Sequence, residues 1–450
     1  MTKQELSVHK RARGLLVDRR DADGITKYVR LFSVGATATI VMLIATPGVS
    51  AASASHGKAA PIVLTEEDYY TAGTADAGWN TLIKEYEKLH PNVTIRRTVI
   101  PQDGYIPHVL SQASSNSLPD ILMIDNPYVP QVASLGVLTP LKSLGKLSVK
   151  DIARTELYDG YYNGVLYALP LYTNTNGLFY NKKMFAAHHL APPKTWAQLE
   201  TDAKLLTTKS VYGFVTALNP QGDAAYWSTA PFIWTNAGVD YTAHVNSPAV
   251  VAAVNVFVTM ARDGSMPKQV VEPSFNADDV FDAGKAAMDQ SGPWTIAQKN
   301  GIKGLDYGVA ELPTRTGHQK LLVPTGGETW TIPKTDPPAA KKAAFQYLKW
   351  LDTPAVDVQE AVLQGGLVPT IKSAVPVALK EEDPSAMGPF AEELINGGTP
   401  RTLYLKKAFE AVSTTVGNAI DAAVVGTETT QEALNKIVGQ VKSELQQYNG

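Results

Sequence analysis

Polar and aromatic side chains follow several apolar stretches that have the composition of β-strands. Four segments show this pattern: "ILMIDN" (Ile121–Asn126), "LPLYTNTNGLFYN" (Leu169–Asn181), "AAMDQSGPW" (Ala286–Trp294) and "VPTGGETW" (Val323–Trp330). In open α/β sheets, ligands bind outside the carboxyl ends of the strands. Carboxylates and amides there can exchange hydrogen bonds with hydroxyl groups, and an indole can lie flat on the C–H face of a sugar. The pattern therefore indicates a site for a neutral polyol or sugar.

The residues that carry this pattern are Asp125, Asn126, Asn174, Asn176, Trp294, Glu328 and Trp330. Each of them alone has a simpler structural interpretation, because Asp and Asn favour turns and Trp is frequent in protein cores. The prediction depends on their occurring together at strand ends.

Signatures of catalysis are missing from the sequence. It has no P-loop and no Gly-x-Gly-x-x-Gly, Gly-x-Ser-x-Gly or His-Glu-x-x-His motif. The acidic doublets Glu66–Glu67 and Asp278–Asp279 are typical of solvated loops or helix starts. A secreted glycoside hydrolase stays open as an alternative, because its two carboxylates can lie far apart in the chain. The adjacent pair His188–His189 would point apart on a helix, so we expect no metal site and no cofactor.

Composition narrows the class of protein. A chain of 450 residues, 44% hydrophobic and 18% charged, predicts two or more lobes. The absence of cysteine excludes disulfides, thiolate zinc sites and a lipid anchor on cysteine. Residues 1–60 hold nine basic and four acidic side chains, so the net charge of −3 for the chain leaves −8 for residues 61–450. An acidic body argues against a nucleic-acid partner.

The first sixty residues have the order of an export signal. Residues 1–30 are basic, the apolar run "LFSVGATATIVMLIATPGV" (Leu31–Val49) follows, and then comes the small-residue stretch "SAASASHGKAAP". The apolar run also approaches the ~20 residues that span a bilayer, so an uncleaved membrane anchor is the alternative. Either interpretation places residues 61–450 outside the cytoplasm, in a periplasm or at the outer face of the membrane.

The pattern along the body alternates strands and helices. "PIVLTEEDYY" begins as a strand; Trp79, Leu82, Ile83, Tyr86 and Leu89 have helical spacing; "NVTIRRTVI" and "PDILMID" are strands on either side of a helix over Asp103–Asn116. Further strands are predicted at Val211–Ala217 and Lys285–Gln290. Capping boxes at Thr195/Gln198 and Thr429/Glu432 mark helix starts, and two long helices end the chain. This order predicts an α/β fold with mostly parallel sheets.

Several segments together resemble the extracellular solute-binding proteins of carbohydrate ABC importers, the group that includes maltose-binding protein. They are "KEYEKLHPNVTIR", "SLPDILMIDNPYVPQVASLGVLTPL", "YALPLYTNTNGLFYNKKMF", "PPKTWAQLETDAKLL", "FDAGKAAMDQSGPWTIAQ" and "GGETWTIPK". Their order and spacing match the family over nearly all of Pro61–Gly450.

The resemblance implies a two-lobed, periplasmic-binding-protein-like fold, with a ligand cleft between the lobes. Each lobe would be a mostly parallel sheet flanked by helices. Lobe I would comprise residues 61–172 and 323–371, and lobe II residues 173–322 and 372–450. The chain would cross between the lobes near Leu171–Asn174, Leu321–Thr325 and Thr370–Val375. The protein would be a non-catalytic monomer that captures a sugar and delivers it to the permease subunits of an importer.

The resemblance also assigns roles to single residues. Gly-Pro-Trp starts a helix at the cleft wall in the family, so Trp294 would be half exposed and would stack on the sugar. Asp125 and Asn174 match polar cleft positions, and Trp227 or Trp234 matches an aromatic one. Further matches are Glu328, Trp330 and Arg401, with Tyr70 in the first loop.

Some alternatives stay open at this point. The solute could be something other than a sugar; the tyrosine doublets Tyr69–Tyr70 and Tyr161–Tyr162 would suit ferric iron, whereas the tryptophans favour sugar. Which sugar binds, and its length, does not follow from the sequence, because discrimination depends on a few hydrogen bonds formed when both lobes close.

Overall fold

The computed structural model describes residues 60–71, 73–102, 104–334 and 337–449. The predicted export signal or membrane anchor, residues 1–60, lies outside the described residues apart from its last position. In the described part of the chain, no helix is both long enough and apolar enough to cross a membrane.

The described residues form fifteen strands. In chain order these are β1 Ile62–Asp68, β2 Val93–Val99, β3 Ile121–Asp125, β4 Tyr161–Tyr162, β5 Val165–Leu166, β6 Ala168–Pro170, β7 Tyr172–Thr173, β8 Gly177–Asn181, β9 Tyr212–Thr216, β10 Ala286–Ser291, β11 Tyr307–Ala310, β12 Val323–Thr325, β13 Glu328–Thr331, β14 Val368–Pro369 and β15 Gly398–Pro400.

The same residues form sixteen α-helices: α1 Gly73–Leu89, α2 Tyr105–Ser115, α3 Val129–Ser134, α4 Arg154–Tyr158, α5 Lys182–Ala187, α6 Trp196–Leu206, α7 Ala224–Ala237, α8 Pro248–Asp263, α9 Ala277–Asp282, α10 Ile296–Gly301, α11 Pro338–Leu351, α12 Pro354–Gln364, α13 Val375–Glu381, α14 Pro384–Gly397, α15 Phe409–Val425 and α16 Thr430–Asn449.

Two sheets organise these elements. The first has the order β2-β1-β3-β13-β6 and the second the order β11-β8-β10-β9. In the first sheet β1 is parallel to β2 and β3, while β13 is antiparallel to β3 and β6. In the second, β10 is parallel to β9, and β8 is antiparallel to β10 and β11. Each sheet thus contains one reversed strand, and the predicted mostly parallel α/β architecture is confirmed.

Short ladders lie in the connections between the sheets. The chain leaves the first sheet after β6 and enters the second at β8, and β7 in this connection pairs with β14. It returns between β11 and β13, where β12 pairs with β15. The proposed lobe boundaries stay a prediction.

Successive side chains of a strand point to opposite faces of the sheet, so one strand contributes to two different hydrophobic clusters. On β3, Ile121 and Met123 belong to a cluster with α1, α11 and α12, whereas Leu122 and Ile124 face a cluster that also contains α7, α8, α15 and α16. Both faces of this strand are therefore buried, as its continuous apolar run predicts. A third cluster covers the second sheet beside α9, α10 and α14.

Local signals position most of the predicted elements. In α1 the residues Trp79, Leu82, Ile83 and Tyr86 are buried, as their spacing predicts. Leu89, expected on the same face, is 62% exposed because it is the last residue of the helix.

Both capping boxes are present. The Thr195 hydroxyl accepts from the Gln198 N–H, and the Gln198 side chain accepts from the Thr195 N–H. Thr429 and Glu432 make the same reciprocal pair at the start of α16.

The two acidic doublets lie in different surroundings. Asp278 and Asp279 occupy the first turn of α9, as predicted. Glu66 and Glu67 are not in a solvated loop: both are buried on β1, where the Trp79 indole donates to Glu66 at 2.6 Å and Gln112 donates to Glu67 at 2.9 Å. The prediction of a solvated loop was wrong there because the strand continues through the acidic run to Asp68.

Candidate functional site

A cleft of about 650 Å³ lies between the ends of strands from the two sheets. Asp125 is the last residue of β3, and Gln290 and Ser291 are the last two of β10. Glu328 is the first residue of β13, which runs antiparallel to β3, so the register places it directly opposite Asp125. Strand ends from both sheets therefore supply the polar lining, as the sequence pattern predicts.

Two indoles form the aromatic wall of the cleft. The ring centroids of Trp227 and Trp294 are 6.3 Å apart, with an angle of 47° between the ring planes. Trp294 is 42% exposed and lies in the short 3₁₀ turn Pro293–Thr295, directly after β10. An exposed indole beside hydrogen-bonding groups suits a ring with apolar faces and a polar rim.

The choice between Trp227 and Trp234 follows from their positions along α7. The helix begins at the cleft, and Trp227 is in its first turn. Trp234 is two turns further along, ~10 Å away. It is 2% exposed and packs edge-on against Tyr226, with ring centroids 6.1 Å apart. Trp227 is thus the residue that faces the cleft.

Asp125 and Glu328 place two carboxyl groups side by side. The Tyr69 hydroxyl donates to Glu328 Oε1, and Glu328 Oε2 has no hydrogen-bond partner in the described part of the chain. Burial raises the pKa of Glu328 to about 7, and the neighbouring Asp125 carboxyl acts in the same direction. Burial also raises the pKa of Asp125, although the Arg401 guanidinium opposes the shift.

Arg401 is a buried cation at the wall of the cleft. Its Nη2 contacts Asp125 Oδ1 and donates to Asn126 Oδ1 at 2.7 Å, and its Nη1 donates to Asp223 Oδ2 at 2.9 Å. The guanidinium carbon lies 4.9 Å from the centroid of the Trp227 ring. Burial raises the pKa of Asp223 to about 7 against the opposing charge of Arg401. The guanidinium therefore joins the end of β3 to the start of α7 beneath the indole.

Two predicted residues do not reach the cleft. Asn126 is buried behind Asp125, where its side-chain oxygen accepts from Arg401. Trp330 is fully buried and stacks on Trp79, with ring centroids 4.7 Å apart and planes 9° apart. Trp330 shares a face of β13 with Glu328, but only the residue at the strand end reaches the cleft. A direct contact of Trp330 with a ligand is therefore incompatible with its position.

The other predicted residues lie in the cleft wall. Asn174, Asn176 and Tyr70 line it, and the Tyr70 hydroxyl donates to that of Tyr172 at 2.8 Å. Of the tyrosine doublets considered for iron, Tyr69–Tyr70 lines the cleft. Tyr161–Tyr162 forms β4 in a separate hairpin and is not part of the lining.

Paired glycines allow the walls to approach each other. A Cβ atom on Gly326 would lie 2.2 Å from Asn174 Oδ1 and 2.5 Å from the Trp227 ring. At Gly327, φ is +128°, and a Cβ would lie 2.3 Å from the Tyr172 carbonyl oxygen. These positions need glycine, because any side chain would collide with the lining residues.

The sequence patterns missed several lining residues, among them Tyr172, Asp223, Ser228 and Gln290. Gln290 had a usable signal, since it stands at the end of a predicted strand. Asp223 had a weaker one, since Asp is a common residue directly before a helix. It precedes α7 in a left-handed conformation, with φ 62°.

A second buried cation supports the cleft wall from behind. Lys299 Nζ lies 3.0 Å from both Asp278 and Asp282 and 3.4 Å from Asp289, and its side chain is completely buried. The ammonium also lies 5.0 Å from the centroid of the Phe179 ring. This cluster ties α9 and α10 to β10, and so fixes the elements on both sides of Trp294.

In the described part of the chain, no group of three or more His, Asp or Glu side chains is arranged to hold a metal ion. The chemistry that the arrangement offers is hydrogen bonding to hydroxyl or amino groups, together with stacking against two indoles.

Curated relatives are similar over part of their length. A binding protein of Brucella abortus (strain 2308) is 26% identical over 278 residues, which are 58% of this chain and 65% of that protein. The galactooligosaccharide-binding protein of Bacillus subtilis (strain 168) is 23% identical over 300 residues, 64% of this chain and 68% of that protein. The chain thus matches a little less than two thirds of the Brucella relative.

Solved structures show the same fold. An ABC substrate-binding protein of Listeria monocytogenes, in complex with cycloalternan, has a TM-score of 0.75 at 18% identity. The similarity covers 85% of this chain and 98% of that one. The fold is the two-lobed one of maltose-binding-protein type.

The sequence profile described as bacterial extracellular solute-binding protein matches residues 81–388, well over half of the chain. Together with the two-sheet fold and the cleft between strand ends, this match establishes that the chain belongs to the bacterial extracellular solute-binding protein family.

Proposed function

We propose that this protein captures a sugar or oligosaccharide between its two lobes and delivers it to the permease of an ABC importer. It works outside the cytoplasm, and residues 1–60 act as its export signal or as an uncleaved anchor. Lobe I comprises residues 61–172 and 323–371, and lobe II comprises residues 173–322 and 372–450.

One observation carries this proposal: two indoles stand beside hydrogen-bonding groups that have no protein partner. Trp227 and Trp294 offer ring faces, and four buried side-chain atoms of lining residues have no hydrogen-bond partner in the described part of the chain: Glu328 Oε2, Gln290 Oε1, Trp227 Nε1 and Arg401 Nε. A sugar presents apolar C–H faces for the rings, and its hydroxyls can donate to the two oxygens and accept from the two nitrogens.

The relatives support the same class of ligand. The similar Bacillus subtilis protein is named for binding a galactooligosaccharide, a similar protein of Pyrococcus abyssi is named for maltotriose, and the Listeria structure contains cycloalternan. The 650 Å³ cleft falls in the range typical of small-ligand sites, ~300–1,000 Å³.

The test is a panel of mono-, di- and trisaccharides added to the full-length protein in a thermal-shift assay. A cognate sugar at about 100 times its dissociation constant adds ~2.7 kcal/mol of stability. Calorimetric titration of the sugars that raise the melting temperature then gives their affinities. If no sugar shifts the melting temperature and an unrelated solute does, the proposed ligand class is wrong.

Asp125 and Glu328 bind rather than catalyse in this proposal. Prolonged incubation with oligosaccharides should therefore release no new reducing ends. Sustained turnover that disappears in a Glu328→Gln variant would instead identify a glycoside hydrolase.

A further inference from the structure

Helix α7, which carries Trp227 into the cleft wall, contains an internal proline. Pro231 is buried and is not part of the cleft lining. It lies four residues beyond Trp227, ~6 Å further along the helix. A proline has no backbone N–H, so in a helix interior the carbonyl group four residues earlier loses its helical donor. In α7 that carbonyl group belongs to Trp227.

A side chain from the second sheet supplies the missing donor. Asn176 Nδ2 donates to the Trp227 carbonyl oxygen at 3.0 Å. Asn176 directly precedes β8 and is itself a lining residue of the cleft. Because a carbonyl oxygen can only accept, this bond also fixes which end of the Asn176 amide points to the helix. The carbonyl group that Pro231 leaves free is therefore an attachment point between α7 and the sheet.

A second amide holds the next residue of the helix. Gln290 Nε2 donates to the Ser228 carbonyl oxygen at 2.7 Å. In the antiparallel ladder of β8 and β10, Gly177 pairs with Ser291, and these residues directly follow Asn176 and Gln290 in the chain. The two amides thus come from the same edge of the sheet. Together they fasten two successive carbonyl groups of α7.

The Trp227 ring is enclosed as closely as its backbone. The Arg401 guanidinium carbon lies 4.9 Å from the ring centroid, and a Cβ atom on Gly326 would lie 2.5 Å from the ring. The direction of a side chain follows from the backbone that carries it. The hydrogen bonds to the carbonyl groups of Trp227 and Ser228 therefore also maintain the 47° angle between the ring planes of Trp227 and Trp294.

We propose that Pro231 is a positioning residue for sugar binding. By leaving the Trp227 carbonyl group free for Asn176, it fixes the Trp227 indole in the cleft wall without touching the sugar. This inference rests on the sugar-binding function proposed above and names a residue outside the cleft on which that function depends.

The first test is Pro231→Ala in the full-length protein. The variant gains a backbone N–H, which competes with Asn176 for the Trp227 carbonyl oxygen. Binding should weaken at least fivefold. The melting temperature should stay close to or above that of the wild type, because proline is unfavourable inside a helix. The probe is whichever of glucose, maltose, maltotriose and galactobiose binds the wild type most tightly in calorimetric titration.

Pro389 provides the matched control. It lies inside α14 and is not part of the cleft lining. Pro389→Ala makes the same backbone change in another helix and should leave the affinity within about twofold of the wild type. If both variants lose affinity equally, the loss comes from removing any helix proline, and the role assigned to Pro231 is wrong.

A double-mutant cycle tests the link to Asn176. In the wild type, Asn176→Ala removes the hydrogen bond to the Trp227 carbonyl oxygen and should weaken binding at least fivefold. In the Pro231→Ala background that bond is already lost, so the further loss should be at least threefold smaller. Equal losses in the two backgrounds would show that Asn176 does not act through this carbonyl group, and would overturn the inference.

Crystal structures of Pro231→Ala and Pro389→Ala without sugar give a readout that does not depend on binding. In Pro231→Ala, Asn176 Nδ2 should lie beyond hydrogen-bond distance of the Trp227 carbonyl oxygen, and the indole should be displaced. Both features should be unchanged in Pro389→Ala. A Pro231→Ala structure that keeps the Asn176 bond and the position of the indole would contradict the inference.

The outcomes separate this inference from the proposed function. Pro231→Ala that binds the probe as tightly as the wild type overturns the inference and leaves sugar binding intact. A loss of affinity together with a melting temperature well below that of the wild type assigns Pro231 to the general stability of the fold, and also overturns it. If the wild type binds a non-sugar solute and no sugar, the proposed ligand class is wrong, while the two sugar-free structures still decide whether Pro231 positions Trp227.

Discussion

Trp294 differs from Trp330 and Trp234 in its exposure, which is 42% against 0% and 2%. Truncating it to Ala should remove a stacking surface without opening the core. We therefore expect Trp294→Ala to weaken sugar binding by ~2 kcal/mol, about 30-fold, with a melting temperature close to that of the wild type. Calorimetric titration and thermal unfolding of the same sample measure the two effects.

Trp330→Ala is the matched control, because it removes the same side chain from the stack on Trp79. It should cost ~3–5 kcal/mol of unfolding free energy. A Trp294→Ala protein that melts as early as this control and binds sugar normally would contradict the cleft role of Trp294.

Arg401 has a different kind of importance, since it neutralises two buried carboxyl groups. Replacing it by Met leaves Asp125 and Asp223 without their shared cation. Removing one partner of a buried ion pair typically costs ~3–5 kcal/mol, so Arg401→Met should lower the unfolding free energy by about this amount in denaturant titrations at pH 7. The loss should shrink at pH 5, where these carboxyl groups can take up protons.

The exposed Arg315 offers the comparison. Arg315→Met removes one positive charge at the surface and should change stability by less than ~0.5 kcal/mol. Equal losses in the two variants would mean that the Arg401 network contributes nothing specific.

The residue patterns anticipated part of this site. Asp125, Asn174, Trp294 and Glu328 line the cleft because each stands at or beside a strand end, which the sequence marks by apolar runs followed by turn residues. Asn126 and Trp330 stand in equally polar or aromatic surroundings in the sequence, yet neither of them lines the cleft. Exposure depends on which element covers a side chain, and α1 supplies the indole that covers Trp330.

At the scale of elements, the Lys299 cluster joins α9, α10 and β10. Its ammonium is enclosed by three carboxylates and two aromatic rings. Lys299→Met leaves those carboxylates unpaired, and we expect a loss of ~3–5 kcal/mol in unfolding free energy. Since β10 and α10 flank Trp294, sugar affinity should also fall. Titration of the still-folded variant at low temperature measures this effect.

Lys303, on the exposed surface just after α10, provides a control for the loss of a lysine charge. Lys303→Met should be nearly neutral in both measurements. Unchanged stability in Lys299→Met would show that the three carboxyl groups are held in place without the ammonium.

Predictability from sequence differs between kinds of element. Periodicity and capping residues identified α1, α6, α16 and the strands β3, β9 and β10, because these signals depend on neighbours within a few residues. The continuation of β1 through Glu66 and Glu67 was missed. Acidic side chains are unusual in a buried strand. Here hydrogen bonds from Trp79 and Gln112 stabilise them, and these two residues belong to α1 and α2, outside the strand.

At the scale of the whole molecule, buried carboxyl groups predict an unusual pH dependence. Burial raises the pKa of Glu66 to about 8, although the hydrogen bond from Trp79 acts against the shift, and it raises the pKa of Glu156 to about 8. Between the ordinary value of 4.5 and about 8, the folded protein holds protons that the unfolded chain has released. Unfolding free energy therefore falls as pH rises through this window, by up to ~1.4 kcal/mol per pH unit for each group.

Denaturant titrations at pH 5.5 and 8.5 measure this effect, and the wild type should be less stable at the higher pH. Glu66→Gln removes one of the titrating groups and should flatten the profile. The same change at the exposed Glu381 should not. If the wild type instead becomes more stable from pH 5.5 to 8.5, the conclusion that these carboxyl groups are buried in their protonated form is wrong.

The most direct test of the account is a crystal structure of the protein with the sugar that binds most tightly in the panel. We expect the sugar to lie in the cleft between the two sheets, with a ring face on Trp294 or Trp227 and polar groups of the sugar within hydrogen-bond distance of Asp125, Glu328 and Gln290. A sugar bound elsewhere on the protein, with the cleft holding none, would contradict it.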